Sequence, residues 1–144
     1  MIVASRVGDG WLWWTIGLLL LLFGGANRFR AVGAAALSEA LSALIFLAIK
    51  KLAGRKRPCA IGQNCWATLL PPDQFSFPSG HSMTAFSVAV PLCLFYPSLQ
   101  VGLLFCAFSI AISRIMLGLH FLSDVVVGSS LGAVIGYSVY CLFR

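Results

Sequence analysis

Acidic side chains are nearly missing from this chain: Asp9, Glu39, Asp73 and Asp124 are the four among 144 residues. Charge of either sign is scarce, at 10% of residues, while 60% are hydrophobic. A soluble domain is about half apolar and about a quarter charged, so a water-exposed fold is excluded and a bilayer is the indicated solvent. No long-period repeat and no low-complexity tail is present. The expectation is one membrane-embedded domain over residues 1–144, too short to carry a soluble domain beside a membrane bundle. Histidine occurs twice, as His81 and His120, and neither is close in sequence to Cys59 and Cys65, whose spacing is not a zinc pattern. No metal and no other cofactor is expected.

The charge that is present is basic, with a formal net value of +6. Such a balance suits nucleic acid, anionic lipid or an anionic substrate. Nucleic acid is set aside, because the cations are not spread over a polar surface: five of the ten fall between Lys50 and Arg57. Cys93, Cys106 and Cys141 sit in apolar runs and read as small hydrophobes. Cys59 and Cys65 share a polar loop and would form a disulfide only if it faced an oxidising compartment.

Five apolar stretches occupy roughly 11–27, 31–49, 81–96, 99–117 and 125–143. A span needs about 20 apolar residues at a 1.5 Å rise. The second, fourth and fifth meet this, and the first and third are short but acceptable. The fold class is therefore all-α, a polytopic transmembrane bundle of about five spans. Trp11, Trp13 and Trp14 are expected at the membrane interface. The first stretch also fits a signal peptide, with Arg6 before it and Gly24-Gly25-Ala26 after it; a retained helix is the preferred reading. Gly54 to Pro78 is a polar, proline-containing loop, and Pro97-Ser98 makes a short turn. Gly118 is suited to stop the fourth helix, and Ser123 or Asp124 to cap the fifth. Gly128, Gly132 and Gly136 recur every four residues, which lets another backbone approach one helix face. Packing within the bundle is the preferred reading of this stripe over a dimer interface.

Alternating spans put the loop from Lys50 to His81 and the turn from Arg114 to Asp124 on one membrane face. Arg28, Arg30 and Arg144 fall on the other. Three groups collect on the first face. Lys50 and Arg57-Pro58 form a basic cluster, which alone reads most simply as a headgroup contact. Lys51, Arg55 and Lys56 fit that simple role. Pro78-Ser79-Gly80-His81 directly precedes an apolar helix, whose first N–H groups and positive dipole end suit phosphate. Gly80 has no side chain to obstruct a ligand, and His81 is placed to give a proton. Ser113-Arg114, His120 and Asp124 make the third group. A guanidinium near the end of an apolar helix is a functional candidate by default. His120 and Asp124 are four apart around a helix start, so a hydrogen bond between them is feasible. A carboxylate on one ring nitrogen fixes the tautomer and exposes the other as a nucleophile. The bland alternative is an Arg–Asp pair with a bystander histidine. Together the groups supply a nucleophile, an orienting acid, a proton donor and several cations, the parts for phosphoryl transfer without a metal.

These residues resemble the three signature motifs of the type 2 phosphatidic acid phosphatase superfamily: Lys50 with Arg57-Pro58, then Pro78-Ser79-Gly80-His81, then Ser113-Arg114, His120 and Asp124. The motifs span residues 50–124, and the helical pattern extends the likeness to most of the chain. The family usually has six transmembrane helices; five are counted here, and the missing one would be the first. The resemblance implies that His120 attacks phosphorus while Asp124 holds its ring. It implies that Lys50, Arg57, Arg114 and the backbone of Ser79 and Gly80 bind the phosphate oxygens. His81 would protonate the departing lipid oxygen and later serve as base for water. The implied substrates are phosphatidic acid, phosphatidylglycerol phosphate, undecaprenyl diphosphate or a lipid A phosphate, with membrane lipids as surroundings. The alternatives are a lipid phosphotransferase on the same scaffold and a non-catalytic anion-binding membrane protein. A vanadate-dependent haloperoxidase shares related motifs but is soluble. With the phosphate-binding cations set apart, Arg28, Arg30 and Arg144 place the opposite face in the cytoplasm, although Arg6, Lys51, Arg55 and Lys56 oppose this. The expected location is a bacterial inner membrane, with the active site toward the periplasm.

Overall fold

The structure is a computed structural model that describes residues 10–55 and 75–144. Among the described residues the chain forms α1 (Trp11–Phe23), α2 (Arg28–Ala53), α3 (Gly80–Phe95), α4 (Gln100–Met116) and α5 (Leu122–Phe143). Single 3-10 turns at Gly25–Asn27 and Pro97–Leu99 join α1 to α2 and α3 to α4. No β-strand occurs among the described residues. The segments Gly25–Ala53, Pro97–Met116 and Leu122–Phe143 are long and apolar enough to cross a membrane, whereas α1 and α3 are shorter apolar helices.

The outward faces carry large apolar side chains, among them Leu22, Leu44, Val101, Phe105, Val134 and Leu142, all exposed. In water such a surface would aggregate; hydrocarbon solvates it. The chain is an integral membrane protein. Trp11 and Trp14 share this exposure, but Trp13 is turned inward and buried. The expectation of three outward-facing tryptophans at the interface is corrected for Trp13, which belongs to the buried core with Leu20 and Val88.

The α3 helix is the centre of the bundle and packs against α2, α4 and α5. Its residues Met83, Ala85, Ala89 and Leu92 are fully or almost fully buried. The glycine stripe of α5 sets the closest approach. A Cβ added at Gly128 would stand 2.6 Å from the Ser79 carbonyl oxygen, and one at Gly136 would stand 2.7 Å from that of Ser87. At Gly132 it would collide with the Met83 backbone. The stripe thus packs α5 on α3, as expected. Pro91 lies four residues after Ser87 and has no N–H to offer its carbonyl; Gly136 comes closest where that helical bond is missing. On the far face, Tyr96 Oη donates to the Gly24 carbonyl at 2.8 Å, tying the α1–α2 and α3–α4 turns together.

The α4 helix ends as its sequence suggests. Gly118 has φ of 67°, in the left-handed region that glycine tolerates. Gly118 N–H donates to Ile115 O at 2.9 Å and Leu119 N–H to Arg114 O at 3.1 Å, the paired bonds of a Schellman ending. The α5 start departs from expectation. Its N-cap is Phe121, and Asp124 sits inside the first turn, where Oδ2 accepts the Phe121 N–H at 2.9 Å. The carboxylate caps the helix by reaching back from the third helical position.

Candidate active site

The α4–α5 turn, the α3 start and the α2 end meet at one end of the bundle. Arg114 lies in the last turn of α4 and is 6% exposed. Its carbonyl accepts the His120 N–H at 3.2 Å as well as that of Leu119, so the helix ending itself places the histidine beside the arginine. The His120 ring is buried, and its Nδ1 lies 2.6 Å from the Ser76 carbonyl oxygen. A carbonyl only accepts, so Nδ1 carries a proton, and in the neutral tautomer the lone pair falls on Nε2.

Asp124 is fully buried. Its Oδ2 is 3.9 Å from His120 Nδ1, an ion-pair distance and too long for a hydrogen bond. The expected carboxylate–imidazole hydrogen bond is replaced by the Ser76 carbonyl. The carboxylate is occupied elsewhere: Oδ2 accepts from the Phe121 N–H, and Oδ1 receives Arg55 Nη1 at 2.8 Å.

Ser79 caps α3 and is fully buried. Its N–H donates to the Asp124 carbonyl at 3.0 Å, and its Oγ pairs with Ser82 Oγ at 2.9 Å. The expectation that the Ser79 N–H grips phosphate is corrected by this: that donor is spent in joining the second motif to the third. Helical bonding in α3 begins with Met83 N–H to Ser79 O at 3.0 Å. The N–H groups of Gly80, His81 and Ser82 therefore precede the first helical bond, the arrangement that favours an anion. His81 stands half-buried in this turn. Gly80 has a packing reason besides ligand access, since a Cβ there would lie 3.0 Å from the Phe46 ring. Lys50 Nζ is 5.0 Å from the centroid of the same ring, which brings the first motif's lysine to the side of the second motif. Arg57 lies outside the described residues, as do Lys56, Cys59 and Cys65.

An apolar groove runs from this end down the lipid-facing side. It has a volume of about 370 Å³ and is lined by Phe86 from α3, by Phe108, Ala111 and Ile115 from α4, and by Val125, Ser129 and Ala133 from α5. Ile115 adjoins Arg114 and Val125 adjoins Asp124 in sequence, so the groove's upper end borders the polar cluster.

The profile of the PAP2 superfamily matches residues 31–144. The chain belongs to the PAP2 superfamily. This PAP2 protein is 34% identical over 96 residues to the lipid A 1-phosphatase of Rhizobium johnstonii, an overlap of 64% of this chain and 39% of that protein. The chain therefore spans well under half the length of that relative. The crystal structure of Aquifex aeolicus LpxE superposes with a TM-score of 0.82 at 27% identity, over 96% of this chain and 81% of that one. The transmembrane PAP2-type phosphatidylglycerolphosphate phosphatase of Bacillus subtilis gives a TM-score of 0.74 at 27% identity, over 99% of this chain and 74% of that one.

Two residues in contact with the candidate site residues escaped the sequence reading of this PAP2 chain. Ser76 meets His120 through its backbone carbonyl, which leaves no side-chain signature. Arg55 stood in a run of like cations, with nothing local to distinguish it from a headgroup contact.

Proposed function

We propose that this PAP2 protein is a lipid phosphatase that works through a phosphohistidine on His120 and needs no metal. The observation that carries this reading is the His120 ring, buried and held at Nδ1 by Ser76, the tautomer whose nucleophilic nitrogen is Nε2. Nε2 attacks phosphorus, and the lipid oxygen leaves with a proton from His81. Water then attacks phosphorus as His81 takes its proton, the phosphorus–Nε2 bond breaks, and inorganic phosphate departs with the Nε2 lone pair restored. Asp124 stabilises the positive ring electrostatically from 3.9 Å. Lys50, Arg57, Arg114 and the first-turn N–H groups of α3 neutralise the phosphate oxygens.

A lipid substrate is favoured by the groove between α4 and α5, which offers an acyl or prenyl chain a path from the bilayer to the polar cluster. The relatives' names point to a lipid A phosphate, phosphatidylglycerol phosphate or undecaprenyl diphosphate; phosphatidic acid is in the same chemical class. On this reading the protein works in a bacterial inner membrane with the site toward the periplasm, which the cations Arg28, Arg30 and Arg144 at the opposite end support. The test is phosphate release from a set of purified lipid phosphates and diphosphates, without added acceptor and with EDTA present. Wild-type protein quenched during turnover of radiolabelled substrate should carry an acid-labile, base-stable label. His120→Ala should release no phosphate and carry no label. Full turnover in that variant would sink the mechanism, and loss of wild-type activity in EDTA would sink the metal-free claim.

A further inference from the structure

One cation at the site has no part in the reaction above. We propose that Arg55 is a positioning residue that holds the His120 ring in its attacking orientation, an inference that rests on the His120 reading. Arg55 reaches the ring from two sides. Through its main chain, its carbonyl accepts the Ser76 N–H at 2.8 Å and Ser76 Oγ at 3.4 Å, and the Ser76 carbonyl in turn holds His120 Nδ1. Through its side chain, Nη1 reaches Asp124 Oδ1 at 2.8 Å and Ser123 Oγ at 2.9 Å, while the guanidinium lies 4.3 Å from the centroid of the Phe121 ring. The chain immediately after His120 is thus clamped to the segment that supplies its hydrogen-bond acceptor.

The chemistry calls for arginine here. A planar fork donates to a carboxylate and a hydroxyl together and lays its face on an aromatic ring, which an ammonium does not do. Asp124 is fully buried, and the Phe121 N–H compensates only one of its oxygens. Without Arg55, Oδ1 has lost its donor, while the other oxygen, Oδ2, already stands 3.9 Å from the His120 Nδ1–H. A carboxylate that turned toward it would draw the ring off the Ser76 carbonyl and swing Nε2 out of line.

The experiment uses the full chain in detergent with one lipid phosphate as substrate. In Arg55→Ala, kcat should fall on the order of 10²-fold, while KM and the inhibition constant for vanadate stay unchanged. Arg55→Lys should recover little of the loss, and added methylguanidinium should restore Arg55→Ala but not Arg55→Lys. Lys51→Ala, which removes an exposed cation from the same run, should leave kcat unchanged. If Arg55→Ala does not purify as a monodisperse species, Arg55→Gln carries the same comparison. Unchanged kcat in the alanine variant overturns the proposal, as does a rise in KM and in the vanadate constant with kcat kept, which makes Arg55 a phosphate ligand. Activity retained in His120→Ala defeats the nucleophile assignment itself; loss there with full kcat in Arg55→Ala defeats the Arg55 inference alone.

Discussion

At the scale of single residues, the site turns on which atom holds His120 Nδ1. In a triad where a carboxylate alone sets the tautomer, replacing it by the amide costs ~10⁴-fold. Here the Ser76 carbonyl sets the tautomer at 2.6 Å, and Asp124 stands 3.9 Å away. Asp124→Asn should therefore keep Nε2 as the lone-pair nitrogen and lose only the electrostatic support for the positive ring and the bond to Arg55. The expected fall in kcat is on the order of 10²-fold, measured as phosphate release at saturating lipid phosphate. A loss as deep as that of His120→Ala would show that the carboxylate, rather than Ser76, governs the ring. His120, His81, Arg114 and Asp124 were legible from the sequence because their side chains are costly in an apolar helix end or rare in the chain. Ser76 was not, since its contribution is a main-chain oxygen, and its own N–H is held by the Arg55 carbonyl far away in sequence.

At the scale of elements, the helices were legible because apolar runs and their punctuation agree. The stretch expected at 81–96 is α3 at Gly80–Phe95, and Gly118 ends α4 where a left-handed residue is required. What the runs do not encode is which faces meet, and the α5 glycines supply that. Gly132→Leu should force α5 off the Met83 backbone and cost roughly 1–3 kcal/mol or more, read as a lowered Tm in detergent. Gly102→Leu is the contrasting change: nothing lies within 4 Å of a Cβ there, so Tm should hold. Gly128→Ala separates packing from function, because its Cβ meets the Ser79 carbonyl 2.6 Å away, at the second motif; its activity should fall further than its stability. The groove between α4 and α5 makes a different prediction. Ala133→Phe narrows it away from the polar cluster, so KM should rise for a long-chain lipid phosphate and stay unchanged for a short-chain one. Equal effects on both would deny the groove to the substrate chain.

At the scale of the whole molecule, the question is which way the bundle faces. Counting every cation for the positive-inside bias puts the polar cluster in the cytoplasm, because the run from Lys50 to Arg57 dominates. Cations engaged within the site are poor votes, because their placement answers to chemistry. Lys50, Arg57 and Arg114 were already set apart on that ground, and the bonds of Arg55 to Asp124 and Ser123 remove a fourth. Among the described residues Lys51 is then the opposing vote that remains on that face. Arg28, Arg30 and Arg144 stand together on the other, where the Tyr96–Gly24 bond holds the turns of the first four helices at one level. A reporter fused after Arg144 should therefore lie in the cytoplasm of a bacterial host: green fluorescent protein should fluoresce, and alkaline phosphatase should be inactive. The reverse pair of results would turn the site toward the cytoplasm and make its substrate a lipid phosphate of the inner leaflet. Introducing lysines at exposed positions beside Lys51 should weaken the predicted orientation, whereas Arg55→Ala should not change it, which separates a cation that serves topology from one that serves the site.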